Sequence, residues 1–313
     1  MIQTQHLTKR FGKQTAVDDL TFTVEPGHVT GFLGPNGAGK STTMRVIMGF
    51  EHPSTGTATV NGQPVNKLHS PLTEVGACLD PKMFHPRRTA RDHLQALAAT
   101  GHLPHKRVDE VLEFVGLTSV ADKMAGTFSL GMVQRLGIAT ALIGDPSTVI
   151  LDEPFNGLDP EGVLWLRETV RGLAGQGRTV FLSSHLMSEM AQTADHLIVI
   201  GAGRLLADKP IADMVASASQ QKTRVRSPQV DLIAQELTSP EVHIDHDGPG
   251  TIIITGISCD QIGDAAAQHG WVLHELVPIQ ASLEDVFLEL TKGVVEFHSG
   301  SDETRPTRQR RTR

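Results

Sequence analysis

At 313 residues, 39% hydrophobic and 20% charged, the chain has the make-up of a globular protein with room for one large or two modest domains, which excludes fibrous and disordered classes. The net charge of -7 understates the acidity of the body, because Arg305, Arg308, Arg310, Arg311 and Arg313 crowd the last nine residues; a broad basic nucleic-acid surface is excluded. Cys78 and Cys259 lie too far apart in sequence for a zinc motif or disulfide framework and fit a reducing cytoplasm. Met1 to Arg10 lacks the apolar core of a signal peptide, and no apolar run is long enough to span a bilayer, so any membrane role is expected to need a partner chain.

In chain order, Leu20, Phe22 and Val24 alternate with polar residues, and Glu25-Pro26-Gly27 then turns the chain into an apolar strand, Val29 to Leu33. A glycine-rich loop follows, and Thr42 to Phe50 reads as a helix. Thr57 to Val60 reads as a strand closed by the Asn61-Gly62 turn. From about 86 to 145 the period becomes helical (Leu94, Leu97, Ala98; Val108, Val111, Leu112, Val115), which predicts a helical insert. Thr148 to Leu151, Thr179 to Leu182 and Leu197 to Ile200 are short apolar strands of the kind buried in a parallel sheet. The small and polar stretch 216–228 includes a linker, and a second domain is expected to start within it. Beyond it the reading is strand 223–226, helix 229–238, strand 241–246, strand 251–255, helix 259–269 and strand 271–277, a split βαββαβ unit, then a last helix over 283–291. Residues 298–313 are polar without periodicity and are expected to be a disordered basic tail. The expected class is α/β: a nucleotide-binding unit over 1–215, with a mixed sheet and helical insert, and an α+β accessory domain over 229–297.

The chemistry begins at Gly34-Pro35-Asn36-Gly37-Ala38-Gly39-Lys40-Ser41-Thr42, placed where strand meets helix. Glycines let backbone N–H groups turn inward around phosphate oxygens, and the helix aims its positive end there. Lys40 is expected on the β- and γ-phosphates and Ser41 on Mg²⁺. Gly34, Asn36, Gly37, Gly39 and Thr42 complete the predicted cradle. Thr148 to Leu151 runs into Asp152 and Glu153, two acids at the sheet edge where α/β proteins bind ligands. Asp152 is expected to reach Mg²⁺ through water, and Glu153 to polarise the water that attacks the γ-phosphate. Alone, an acidic strand end is as often a solvated cap; the loop at 34–42 tips that reading toward catalysis.

This order of motifs resembles the nucleotide-binding subunit of ATP-binding cassette (ABC) transporters over residues 1 to about 215. The resemblance implies that Phe11 stacks on adenine, that Asn156-Gly157-Leu158-Asp159 is the D-loop, and that His185, after Ser183-Ser184, contacts the γ-phosphate. It also implies that Phe128-Ser129-Leu130-Gly131-Met132 stands for the usual Leu-Ser-Gly-Gly-Gln signature. Ser129 and Gly131 would then serve the γ-phosphate of a second copy, so that two chains sandwich two ATP molecules. Taken singly, Phe11 reads as core packing, His185 as a strand-end histidine and Ser129 as a helix cap. Where the family carries a glutamine linking Mg²⁺ to the membrane subunit, this chain has Asp80, a shorter and charged side chain that keeps an oxygen for Mg²⁺ but loses the amide donor.

The altered signature, Asp80 and the closing Leu283 to Thr291 segment are together similar to the daunorubicin and bacitracin resistance exporter ATPases. That subgroup implies a homodimer at the cytoplasmic face of the membrane beneath a separate membrane-spanning subunit, exporting a drug, antibiotic or lipid-like molecule. The rival class is a soluble cassette acting on ribosomes or DNA. Its members carry paired cassettes, long coiled coils or zinc hooks, none of which is read here, and no stable nucleic-acid partner is expected.

Overall fold

The computed structural model describes residues 1–218, 222–240, 242–279 and 282–295. The expected basic tail therefore lies outside the described residues, as does the middle of the linker. Ile2–Phe11 and Gln14–Val24 form an antiparallel hairpin, and Thr55–Val60 pairs on the other side of Ile2–Phe11. The second sheet has six strands in the order Val75–Cys78, Thr148–Leu151, Thr179–Ser184, Val29–Leu33, His196–Gly201 and Arg204–Pro210. All neighbours are parallel except the last pair. Thr148–Leu151, Thr179–Ser184 and Val29–Leu33 are buried along their whole length, which is why they read as unbroken apolar runs.

The two sheets are joined by aromatic packing. Phe22 of the hairpin lies 5.8 Å from Phe32 and 5.9 Å from Phe181, which are themselves 5.1 Å apart, ring centre to ring centre. These tilted contacts add about 0.5–1.5 kcal/mol per pair to the burial itself. They fix the hairpin over the strand that feeds the glycine-rich loop.

The predicted insert is Ala90–Thr100, Lys106–Phe114 and Leu130–Leu142, with a core of its own built on Leu94, Val111, Leu112 and Leu136. Leu130–Leu142 is shared: Leu136 and Ala139 face the insert, whereas Ile138, Ala141 and Leu142 pack into the sheet. Beyond Ile211–Ala218, Lys222–Arg226, His243–His246, Thr251–Thr255 and Glu275–Ile279 make an antiparallel sheet in the order His243, Thr251, Lys222, Glu275. Val230–Leu237 and Cys259–His269 cover its Val225, Ile252 and Ile254 side. The last strand starts at Glu275 rather than at 271, because Trp271 N–H closes the preceding helix on Ala266. The last helix, Leu283–Val295, departs from the accessory domain in which it was expected. It buries Leu283 and Val286 in the cassette core, among Met190, Leu197, Val199 and Met214. No helix among the described residues is long and apolar enough to cross a membrane.

Candidate active site

Val29–Leu33 delivers the chain into the loop at Gly34, and the helix begins at Lys40, two residues earlier than its apolar period suggests. Gly39 caps that helix at φ 103°, and a Cβ there would lie 2.4 Å from the Ala16 carbonyl oxygen. Any side chain would push the loop off the hairpin, so glycine is required. The Lys40 Nζ donates to the Gly34 carbonyl at 2.6 Å and stands 3.8 Å from Glu153 Oε1. Burial lowers the Lys40 pKa, and the charges of Glu153 and then Asp152 oppose that shift.

The acids close the site from the neighbouring strand. Asp152 Oδ1 accepts the Ser183 hydroxyl at 2.5 Å, and Ser183 Oγ accepts the Glu153 N–H at 2.8 Å. One serine thus orients both acids. Glu153 sits at φ 50°, and its Oε2 lies 2.7 Å from His185 Nδ1 and accepts the His185 N–H at 3.3 Å. A carboxylate only accepts, so this contact assigns the proton to Nδ1. Lys40 and His185, far apart in sequence, therefore converge on the Glu153 carboxylate.

A pocket of about 560 Å³ runs from Phe11 along Gln14, Thr15 and Ala16 to Pro35–Thr42, Glu153 and Ala202. Phe11, Lys40 and Glu153 all border it, whereas His185 is not among its lining residues. Asn36, Gly37 and Ser41 are exposed into it, whereas Asp152 is buried beneath Ser183. Ser129 and Gly131 do not border it. Ser129 caps Leu130–Leu142 by accepting the Met132 N–H at 3.3 Å, and Leu130 packs onto Gly157, so the signature and D-loop segments share one surface. Asp80 is also outside: its carboxylate accepts the Lys82 N–H at 2.9 Å, and it lines a separate groove of about 240 Å³ with Phe50, Met83 and Phe84. Asp80 and Asp152 both flank Cys78, whose thiol is pushed up to about 12, first by burial and then by these two charges. Gln14 and Ala202 join the site without a motif to announce them, and Ser183, which in the sequence only leads to His185, joins it as the link between the two acids. The glycine cradle that a Cβ would disrupt, the exposed Ser41 hydroxyl and the Asp152 carboxylate together fit a nucleoside triphosphate with a hard divalent cation.

Fold and site together define a P-loop nucleoside triphosphatase. Residues 17–156 match the family described as ABC transporter, and residues 221–284 match a "Domain of unknown function (DUF8746)". The chain is 36% identical to the bacitracin transport ATP-binding protein BcrA of Bacillus licheniformis, over 94% of this chain and 98% of that protein. It is 33% identical to the Nod factor export ATP-binding protein I of Burkholderia lata, over 93% of this chain and 96% of the relative. A solved ATP-binding subunit of an ABC transporter superposes with a TM-score of 0.64 at 26% identity, over 69% of this chain and 92% of the other. The chain belongs to the ABC transporter family, as an ATP-binding and ATP-hydrolysing subunit.

Proposed function

We propose that this subunit drives export of a drug, antibiotic or lipid-like molecule through a separate membrane-spanning subunit, working as a homodimer at the cytoplasmic face of the membrane. The observation that carries the catalytic part is the Glu153 carboxylate, held between His185 Nδ1 at 2.7 Å and Lys40 Nζ at 3.8 Å beside the glycine cradle. Lys40 binds the β- and γ-phosphates, Gly34 to Thr42 wrap the triphosphate, and Phe11 stacks on the base. Glu153 takes the proton of the water that attacks the γ-phosphorus, while His185 orients Glu153 and contacts the phosphoryl group that leaves as inorganic phosphate. Catalysis of this kind is positioning and electrostatics. Ser41, with Asp152 through water, would hold Mg²⁺, which when bound offsets phosphate charge.

Ser129 and Gly131 are assigned to the ATP of a second copy: they lie on an exposed helix start away from their own pocket, a geometry suited to presenting donors across an interface. Asp80 lines the groove between sheet and helical insert, and we assign it to coupling with the membrane subunit rather than to direct metal contact in this conformation. The export reading is supported by near full-length similarity to the bacitracin transport and Nod factor export proteins, accessory domain included. Reconstituting the chain with its membrane-spanning subunit in vesicles tests it. ATP-dependent movement of an amphiphilic cargo away from the ATPase side, abolished by Glu153→Gln, is expected. Movement toward the ATPase side, or ATP turnover indifferent to the membrane subunit, would contradict it.

A further inference from the structure

Lys9 and Phe11 lie two residues apart at the end of Ile2–Phe11. The Lys9 Nζ stands over the Phe11 ring, 4.7 Å from its centre. Its other partners fix it there: Glu51 Oε2 at 2.8 Å and the His52 carbonyl, which accepts from Nζ at 2.8 Å. The Lys9 side chain is 11% exposed, whereas Phe11 is 48% exposed. Glu51 and His52 follow the helix that opens at the phosphate loop, and the Phe50 and Glu51 amides both donate to the Arg45 carbonyl. Lys9 is thereby tied to the far end of the phosphate-binding helix.

Phe11 borders the nucleotide pocket, and Lys9, over one face of its ring, is not among the lining residues. A cation over one face of a ring draws π-density toward itself. The opposite face then becomes a better partner for an electron-rich purine. The chain contains no tyrosine, so no ring hydroxyl is on hand to anchor this platform.

We propose that Lys9 is a positioning residue for the base: locked by Glu51 and His52, it holds the Phe11 ring and polarises it for stacking, linking base recognition to the phosphate-binding helix. This rests on the reading of Phe11 as the stacking residue. The test is calorimetric titration of the full chain with ATP and with inorganic tripolyphosphate, which has no base. Wild type, Lys9→Met, Lys9→Arg, Phe11→Leu and the Lys9→Met/Phe11→Leu double variant are compared. Lys9→Met is expected to weaken ATP about three- to tenfold and leave tripolyphosphate unchanged. Lys9→Arg should retain ATP affinity, and Lys9→Met should add nothing in the Phe11→Leu background. An equal loss for both ligands, no loss for ATP, or a full loss persisting without Phe11 overturns the inference. If Phe11→Leu alone leaves ATP affinity unchanged, the stacking reading itself fails, and the role of Lys9 falls with it.

Discussion

Glu153 adopts a backbone conformation that costs a non-glycine residue energy, φ 50°, and its N–H bond to Ser183 together with the His185 contact holds it there. The same serine hydroxyl donates to buried Asp152, so Ser183→Ala strips a partner from two groups at once. It is expected to cost about 1–3 kcal/mol in urea unfolding and to slow ATP turnover, because Glu153 loses its tether. Glu153→Gln keeps the shape and removes the base; turnover should fall about 100-fold or more while ATP affinity is retained. Single-turnover kinetics beside equilibrium binding separates the two effects. The acids were legible in the sequence because an apolar strand running into Asp152-Glu153 is a pattern. The bridging role of Ser183 was not, since the pattern Ser183-Ser184 points only to His185. Only the parallel register that pairs Leu151 with Leu182 brings its hydroxyl between the acids.

Elements buried on both faces or amphipathic on one were readable, and those with broken periods were not. Ile2–Phe11 is hidden by a register shift between Thr4 and Leu7, where His6 takes φ 49° and the alternation of faces is lost. Within the helical insert, His93 of Ala90–Thr100 is buried against Phe84, with Nε2 3.1 Å from the Thr140 hydroxyl. Burial first, and then the Arg88 charge, lowers its pKa below 6.5. Between 6.5 and that lower folded value the unfolded chain binds a proton that the folded chain refuses, so stability falls as pH drops through this window. His93→Gln can keep the bond to Thr140 and removes the titration. Its melting temperature should decline less steeply than wild type as pH falls below 6.5. Parallel slopes for the two proteins would place the acid sensitivity elsewhere.

At the scale of the molecule, the accessory sheet is bounded in sequence by two helices that both pack on the cassette, Ile211–Ala218 and Leu283–Val295. The sequence reads the second as a helix over 283–291 and places it in the accessory domain, whereas its buried residues pack into the cassette core, because an amphipathic face does not say what it is buried against. Leu283–Val295 lies on the helix that follows His185, beside Met187 and Met190, so the chain leaving the accessory sheet is tied to this part of the cassette. Val286→Asp, which buries a charge in the cassette core, should lower the cassette's own calorimetric transition by about 2–4 kcal/mol. A change confined to a separate accessory transition would show the helix belongs there instead. The whole account turns on one pocket being half of a shared site, with Ser129 and Gly131 completing the ATP of a second copy. Light scattering on Glu153→Gln with saturating ATP and Mg²⁺ tests this most directly. The predicted result is the mass of a dimer that reverts to monomer when Ser129→Arg is added; a Glu153→Gln protein that binds ATP and stays monomeric would contradict it.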